Sequence, residues 1–428
     1  MTGRPVYFVD GLRTPFLKAR GKPGVFAASD LAVQAGRQLL ARLPLRPEDV
    51  DELVIGCAMP SPDEANIARV IALRLGCGEH VPAYTVMRNC ASAMQALDSA
   101  AKDIALGRCE LALAGGTEAM SRAPVLFNDD AVTLLAALNQ ARTPLAKLTT
   151  LTRLRRKHLS PVLSLVRGLT DPIVGLNMGQ TCEVISHRFA ITRAAMDAYA
   201  VNSHQRLARA YDEGRMGEVA PLFDTRGRLH EEDDGLRRDS STEKLARLRP
   251  FFDRSVGLVT AGNSSQVTDG AALLLLASAD AVERYRLPVL GKLVDVEWAA
   301  LDPAQMGLGP VHAATPILKR QELSLTDLDS VELNEAFAGQ VLACIAAWED
   351  DAYCTKQLGL DGALGTLAIH RLNVDGGAIS LGHPVGASGA RIVLHALEVL
   401  KRTGGRRALA TLCIGGGQGG AMLVERQA

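Results

Sequence analysis

This sequence has no charge imbalance: 47 Lys and Arg against 47 Asp and Glu leave a formal net charge of zero. That removes the global electrostatic argument for a nucleic-acid partner or a strongly acidic one. No run of about 18 apolar residues occurs, so no membrane-spanning helix is predicted. The N-terminal stretch MTGRPVYFVDGLRTPF lacks the apolar core of a secretory signal. The eight cysteines, at positions 57, 77, 90, 109, 182, 344, 354 and 413, include no pair separated by two residues. A zinc knuckle and a CxxC redox motif are therefore excluded, and no metal site is expected. Dispersed cysteines in a long chain fit a reducing cytoplasm, where most are small buried apolar residues.

What is present is the composition of a globular protein, 47% hydrophobic and 22% charged. With 428 residues the chain exceeds what one hydrophobic core usually supports, so at least two domains are expected. Its 40 glycines fall in clusters, which points to tight backbone geometry at particular places. Val6–Val9 reads as a strand ended by Asp10-Gly11, and Ala28–Leu43 as an amphipathic helix capped by Ser29 or Asp30. Glu52–Ile55 and Leu111–Ala114 read as further strands, the latter closing at Gly115-Gly116, with an Ala-rich helix over Ala91–Leu106 between them. Strands alternating with helices predict an α/β architecture with buried sheets.

The pattern recurs. Arg46–Gly56 resembles Ser324–Asn334, and Ala96–Gly116 has a counterpart near Ala390–Gly415, in the same order and at nearly the same offset. An internal duplication is the better explanation. Between the halves, residues 131–170 contain no Asp or Glu but carry Arg142, Lys147, Arg153, Arg155, Arg156, Lys157 and Arg167 among many leucines. Residues 224–247 are charge-rich and read as a solvated loop. Leu273–Leu276 is a compact apolar strand leading through Ala277–Leu287 into the second half.

Several segments carry chemistry. Cys90 lies between a β-type run, Tyr84–Val86, and the Ala-rich helix. There the helix N-terminus, exposed N–H groups and nearby Arg88 would favour thiolate; the other reading is a buried structural cysteine. His383 follows Gly382 and precedes Pro384 in a glycine-rich turn entering a helix, either a structural turn or a held imidazole suited to moving protons. Cys413 opens CIGGGQGG at the end of a strand over Ala408–Leu412, where bare N–H groups suit an oxyanion pocket. A dinucleotide loop is the competing reading, disfavoured because no long helix follows. Asn334-Glu-Ala-Phe ends the strand Val331–Leu333, as a site at a strand's C-terminal edge or as a cap for a helix over Ala336–Ala347. Thr260–Ala272 packs small polar residues before a strand, as a slot for a ligand or a tight turn.

Together and in this order, these segments resemble the thiolase family. Cys90-Ala-Ser matches its nucleophile motif, Asn334–Phe337 its NEAF motif and Gly382–Arg391 its GHPxGASGAR motif. Cys413–Gly419 matches CxGGGxG, and Thr260–Ala272 matches TAGNxS…DGAA. The resemblance covers essentially the whole chain and implies two similar α/β halves in a five-layer α-β-α-β-α stack with an inserted loop domain. The expected N-terminal thiolase domain is 1–280, with a loop or lid insertion at about 121–250, and the C-terminal one is 286–428.

The family pattern further implies that Cys90 is the acylated nucleophile, that His383 activates it, and that Cys413 is the second acid/base. Asn334 would hold a water that polarises a thioester oxygen together with His383. The backbone N–H groups of Cys90 and Gly415 would form the other oxyanion hole. Ser265 would contact the pantetheine arm of coenzyme A, and Met178, Ala336 and Phe337 would line the slot. The implied activity is a ping-pong acyl-CoA C-acyl transfer with coenzyme A as a substrate and no permanent cofactor. It would cleave a 3-ketoacyl-CoA to acetyl-CoA and a shortened acyl-CoA, or run the reverse condensation. The expected assembly is a homodimer or homotetramer.

Met87, Ala93 and Asn177 depart from the short-chain biosynthetic pattern. With the basic insert, they bring the chain nearer to thiolase subunits of fatty-acid-oxidation complexes. Such subunits often have His where this chain has Asn334. The segment 131–170 then has two readings: a cover over the acyl tunnel and part of an oligomer contact, since a cationic helical face is usually solvated, or a segment that docks a hydratase/dehydrogenase subunit or an anionic membrane surface. A decarboxylating ketoacyl synthase would carry two histidines and no cysteine at position 413, and a non-catalytic scaffold would not keep Cys90, Asn334, His383 and Cys413 together.

Overall fold

A computed structural model describes residues 3–427. The outermost ends of the two expected domains, residues 1, 2 and 428, lie outside that span. Ten strands form the main sheet: β1 Val6–Arg13, β2 Leu17–Lys18, β3 Glu52–Gly56, β4 Ala83–Val86, β5 Leu111–Ala119, β6 Thr268–Ser278, β7 Gly291–Ala300, β8 Ser330–Leu333, β9 Arg407–Ile414 and β10 Gln418–Glu425. Their order is β8-β9-β10-β7-β1-β6-β5-β3-β4, with β2 on β6. Within the sheet the two halves are joined by the pairing Tyr7↔Lys292 and Phe8↔Gly291. In the first half β3 runs parallel to both β4 and β5, and in the second β8 runs parallel to β9.

The layers follow from alternation along the strands, since successive side chains point to opposite faces. Leu273 and Leu275 of β6 pack outward with Leu53 and Ile55, against helices α1 (Ala28–Ala41) and α2 (Ile67–Leu75). Leu274 and Leu276 point inward to α3 (Ser92–Ala105). The later helices, after α4 (Asp129–Gln140), α5 (Pro144–Leu151), α6 (Met178–Arg188) and α7 (Arg193–Asp212) of the insertion, continue the same arrangement. α8 (Gly309–Arg320) and α9 (Ala338–Glu349) cover the outer face of the second half through Ile317, Leu318 and Trp348 on Leu409 and Leu423. α10 (Ser388–Thr403) lies beside α3 in the middle layer, under Leu412 and Met422. The result is the expected five-layer stack. Each leucine taken from water into these cores contributes roughly 1.5–3 kcal/mol.

The duplication is visible in detail. Asp49 and Asp327 close equivalent single-turn helices, accepting from Arg46 N at 2.7 Å and Ser324 N at 2.8 Å. Each turn delivers a strand of a parallel pair, β3 or β8.

Several local expectations are corrected. β1 does not stop at Asp10-Gly11; Asp10 accepts from Gly11 N at 2.8 Å, the register shifts there, and pairing resumes to Arg13. β5 runs through its glycine pair because Gly115 and Gly116 stay in register with Leu273 and Ala272. Leu273–Leu276 is only the middle of β6. The cap of α1 is Ala27, while Asp30 reaches back to Ala27 N at 2.9 Å. The stretch 224–247 is not merely solvated: Asp233 is buried, holding both Arg13 Nη atoms at 2.8 Å and Phe16 N at 2.7 Å.

Candidate active site

Both middle-layer helices begin at the same place. β4 ends at Val86, and the chain turns through Asn89, whose φ of 44° lies in the left-handed region that Asn tolerates better than most residues. Ser92 secures the turn, accepting from Arg88 N at 2.9 Å and donating to Asn89 O at 2.7 Å. Cys90 therefore stands just before α3. Asn89 Nδ2 donates to Gly415 O at 2.9 Å, tying this elbow to the Cys413 loop.

The expected lowering of the Cys90 pKa does not occur at rest. Burial pushes the thiol up to about 11, although the N–H groups of Gly415 and Cys90 face the sulfur and oppose the rise. Arg88 contributes no correction because its guanidinium stacks on Trp298, 4.2 Å from the ring centre. Cys413 is buried more completely and its thiol is raised well above the ordinary value by burial, then by the neighbouring Cys90. The resting site thus holds two neutral thiols.

His383 N donates to Gln266 O at 3.0 Å, and the imidazole Nδ1 lies 2.6 Å from Ser388 Oγ. Ser388 in turn donates to Pro384 O at 3.1 Å. The hydroxyl proton being used there, Ser388 accepts from Nδ1–H, which leaves Nε2 as the lone-pair nitrogen. Nε2 is buried with no protein partner. Burial, then the charge of Arg391, lowers this imidazole to about 4, so it is a neutral base at neutral pH.

A cavity of about 160 Å³ brings Cys90, His383, Cys413, Met178, Ser265, Ala336 and Phe337 together. Asn334 is not on its wall. Asn334 N donates to Thr411 O at 3.0 Å, while both carboxamide atoms are buried without protein partners. It does not cap the following helix, which starts at Ala338 after Phe337. Its neighbour Glu335 is a structural hub, accepting from Ser203 Oγ at 2.7 Å, Tyr199 OH at 2.9 Å and Asn373 Nδ2 at 3.1 Å. Asn177, on the same cavity wall, caps α6 by accepting from Gln180 N at 3.0 Å.

Two contributors had no assigned role in the sequence reading. Ser388 stood inside the GHPxGASGAR match as one small residue among several. Glu118 of β5 is buried and accepts from Ala58 N at 2.8 Å and Met59 N at 3.1 Å, and Gly386 N of the histidine loop also faces it. Burial raises Glu118 to about 7. Only its position after the Gly115-Gly116 pair hinted at it.

A thiol at the head of one interior helix, an imidazole at the head of the other and a second thiol line one cavity, an arrangement chemically suited to acyl transfer through a cysteine. The thiolase N-terminal domain model matches residues 6–280 and the thiolase C-terminal domain model residues 287–426. The 3-ketoacyl-CoA thiolase of Yersinia enterocolitica is 37% identical over 99% of this chain and 97% of its own length. The acetyl-CoA acetyltransferase of Bacillus anthracis superposes with TM-score 0.84 at 34% identity, over 100% of both chains. Human mitochondrial 3-ketoacyl-CoA thiolase in complex with CoA superposes with TM-score 0.84 at 36% identity, over 99% of this chain and 98% of that one. The chain belongs to the thiolase family.

Proposed function

We propose that this enzyme is a 3-ketoacyl-CoA thiolase that transfers acyl groups between coenzyme A and Cys90. The observation that carries the reading is the convergence of Cys90, His383 and Cys413 on one cavity with Met178, Ser265, Ala336 and Phe337. The full-length similarity to proteins named 3-ketoacyl-CoA thiolase supports the same substrate class.

In the degradative direction Nε2 of His383 takes the Cys90 proton as the sulfur attacks the 3-keto carbon. The neutral resting pair makes thiolate formation part of the attack. The N–H groups of Cys90 and Gly415 receive the developing oxyanion. When the C–C bond breaks, the acetyl-CoA carbanion leaves as an enolate, steadied by His383 and a water on Asn334, and takes a proton from Cys413. A second coenzyme A gives its thiol proton to a base and removes the acyl group from Cys90. Two protein thiols are required because one is blocked as a thioester while protons still move.

Intact-mass and peptide analysis after mixing with an acyl-CoA tests the reading. The expected thioester sits on Cys90 and is absent in Cys90→Ala; a label on another residue would sink the mechanism.

The two halves, 1–280 and 286–428, are proposed as the N- and C-terminal thiolase domains, with the lid at about 121–250. All eight cysteines are free thiols, which supports a reducing cytoplasmic setting. Among the described residues no helix is long and apolar enough to cross a membrane. Leu145, Leu148, Leu151 and Leu159 are exposed beside basic residues. Such a patch favours an external contact for 131–170, with a second copy in a homodimer or homotetramer, a hydratase/dehydrogenase subunit or an anionic membrane surface.

A further inference from the structure

Glu118 is not on the wall of the cavity that holds Cys90, His383 and Cys413, yet it faces the loop that carries the histidine. β3 and β5 run parallel, and their ends bring residues 57–59 beside Glu118. Oε1 accepts from Met59 N at 3.1 Å and from the Cys57 thiol at 3.5 Å. Oε2 accepts from Ala58 N at 2.8 Å and lies against Gly386, where a Cβ would sit only 2.6 Å from it. Gly386 N faces the same carboxylate. The other end of the loop is tied by His383 N, which donates to Gln266 O at 3.0 Å. Glu118 itself is fully buried. An ionised carboxylate only accepts, which suits four converging donors. A protonated one carries a hydrogen of its own, so one of the four is left unpartnered or pushed away.

We propose that ionised Glu118 is the positioning residue of the His383 loop, holding the imidazole for its proton transfer from Cys90, and that protonation of Glu118 releases the loop and slows acylation. The proposal rests on the acyl-cysteine reading above. Burial is the largest influence on Glu118 and raises it to about 7, although the N–H groups of Ala58, Met59 and Gly386 and the Cys57 thiol oppose the rise. The titratable groups packed round it behave differently. Cys57, on the β3 side, is raised by burial and then by Glu118, with Glu64 adding a smaller push. Cys90 at the head of α3 stands at about 11 and His383 on the loop at about 4. Those three keep one protonation state between about pH 5.5 and about pH 8. Glu118 crosses its midpoint inside that window, protonated below it and ionised above.

The test follows the single-turnover rate of Cys90 acylation by acetyl-CoA, read by quenching and intact mass, for full-length wild type, Glu118→Gln and Glu118→Asp. For wild type the rate is expected to rise roughly tenfold or more from about pH 5.5 to about pH 8, as the carboxyl loses its proton. Glu118→Gln puts an NH2 group among the same donors at every pH. Its rate at about pH 8 is expected to lie about tenfold or more below wild type, and to stay within about twofold across the range. Glu118→Asp keeps an ionisable carboxyl and is expected to keep a rise with pH. A residue that merely supported the fold would lower the rate without flattening the profile. The pH ratio within one preparation is independent of the active fraction, so partial misfolding does not blur it. A flat wild-type profile, a rise that Glu118→Gln retains, or a Glu118→Asp profile as flat as that of Glu118→Gln overturns the proposal. A thioester on wild-type Cys90 would in that case leave the thiolase reading intact; its absence would overturn both.

Discussion

At the scale of single residues, the site depends on groups that burial forces into definite protonation states. His383 is held neutral and Cys90 protonated, so proton transfer between them waits for substrate. A second histidine shows the opposite behaviour. His395 is buried between Glu218, 2.8 Å from Nδ1, and Asp375, 3.3 Å from Nε2. Those carboxylates outweigh the cost of burial and raise it to about 10, while they themselves are lowered to about 2. A histidine raised in the fold contributes stability that is complete below its unfolded value, near 6.5, and is lost as pH rises through about 10. The paired carboxylates contribute above their unfolded values, near 4, and lose it as pH falls through about 2. His395→Leu is expected to cost about 3–5 kcal/mol at pH 7, because buried Glu218 loses its nearest partner and keeps only Arg13 Nε at 3.8 Å among the described residues, while Asp375 retains Arg215 and Arg402. Its denaturation midpoint is also expected to fall less steeply than wild type between pH 7 and 10. A variant as alkali-sensitive as wild type would remove His395 from that account.

At the scale of elements, two close approaches aim the site. Gly389 of α10 lies where a Cβ would sit 2.6 Å from Met94 N, so glycine lets α10 and α3 pack with their first turns together. A Cβ on Gly116 of β5 would run into the carbonyl oxygen of Gly386 in the histidine loop, and would meet Gly56 O at 2.8 Å. Neither neighbour is a flexible side chain. Gly116→Ala is expected to cost at least ~1–3 kcal/mol and to displace the loop carrying His383. Urea denaturation and kcat should therefore fall together. Full activity with an unchanged midpoint would mean that the loop has room the structure does not show.

At the scale of the molecule, the halves share one interior. The middle core joins Leu97 and Ile104 of α3 to Leu394 and Leu397 of α10, between strands of both halves. Twelve of the 16 residues of α10 are buried. Residues 286–428 expressed alone would bare that face to water and are expected to show no cooperative thermal transition. A sharp transition with dispersed amide signals would show instead that the second half folds unaided. The insertion is built differently, with α4 and α5 leaving only Ala131 and Thr150 buried. Leu145, Leu148, Leu151 and Leu159 there stay exposed among the described residues.

Much of this was legible from residues alone. The duplication, the α/β class and the segments around Cys90, Asn334, His383 and Cys413 are local patterns: apolar alternation, glycine-rich turns and helix starts that depend on near neighbours. Cys90 itself was legible as a thiol at a helix head. Its resting state was not, because burial outweighs the helix terminus and burial is created by chain more than 300 positions away, such as the Gly415 loop. Glu118, Asp233 and Ser388 were missed for the same reason: each acts through a partner that only folding supplies. Sequence determined by itself which groups are available and in what order. Tertiary structure decided their protonation, their company and the space left for substrate, since solvent exclusion and contact across the chain are properties of the packed whole.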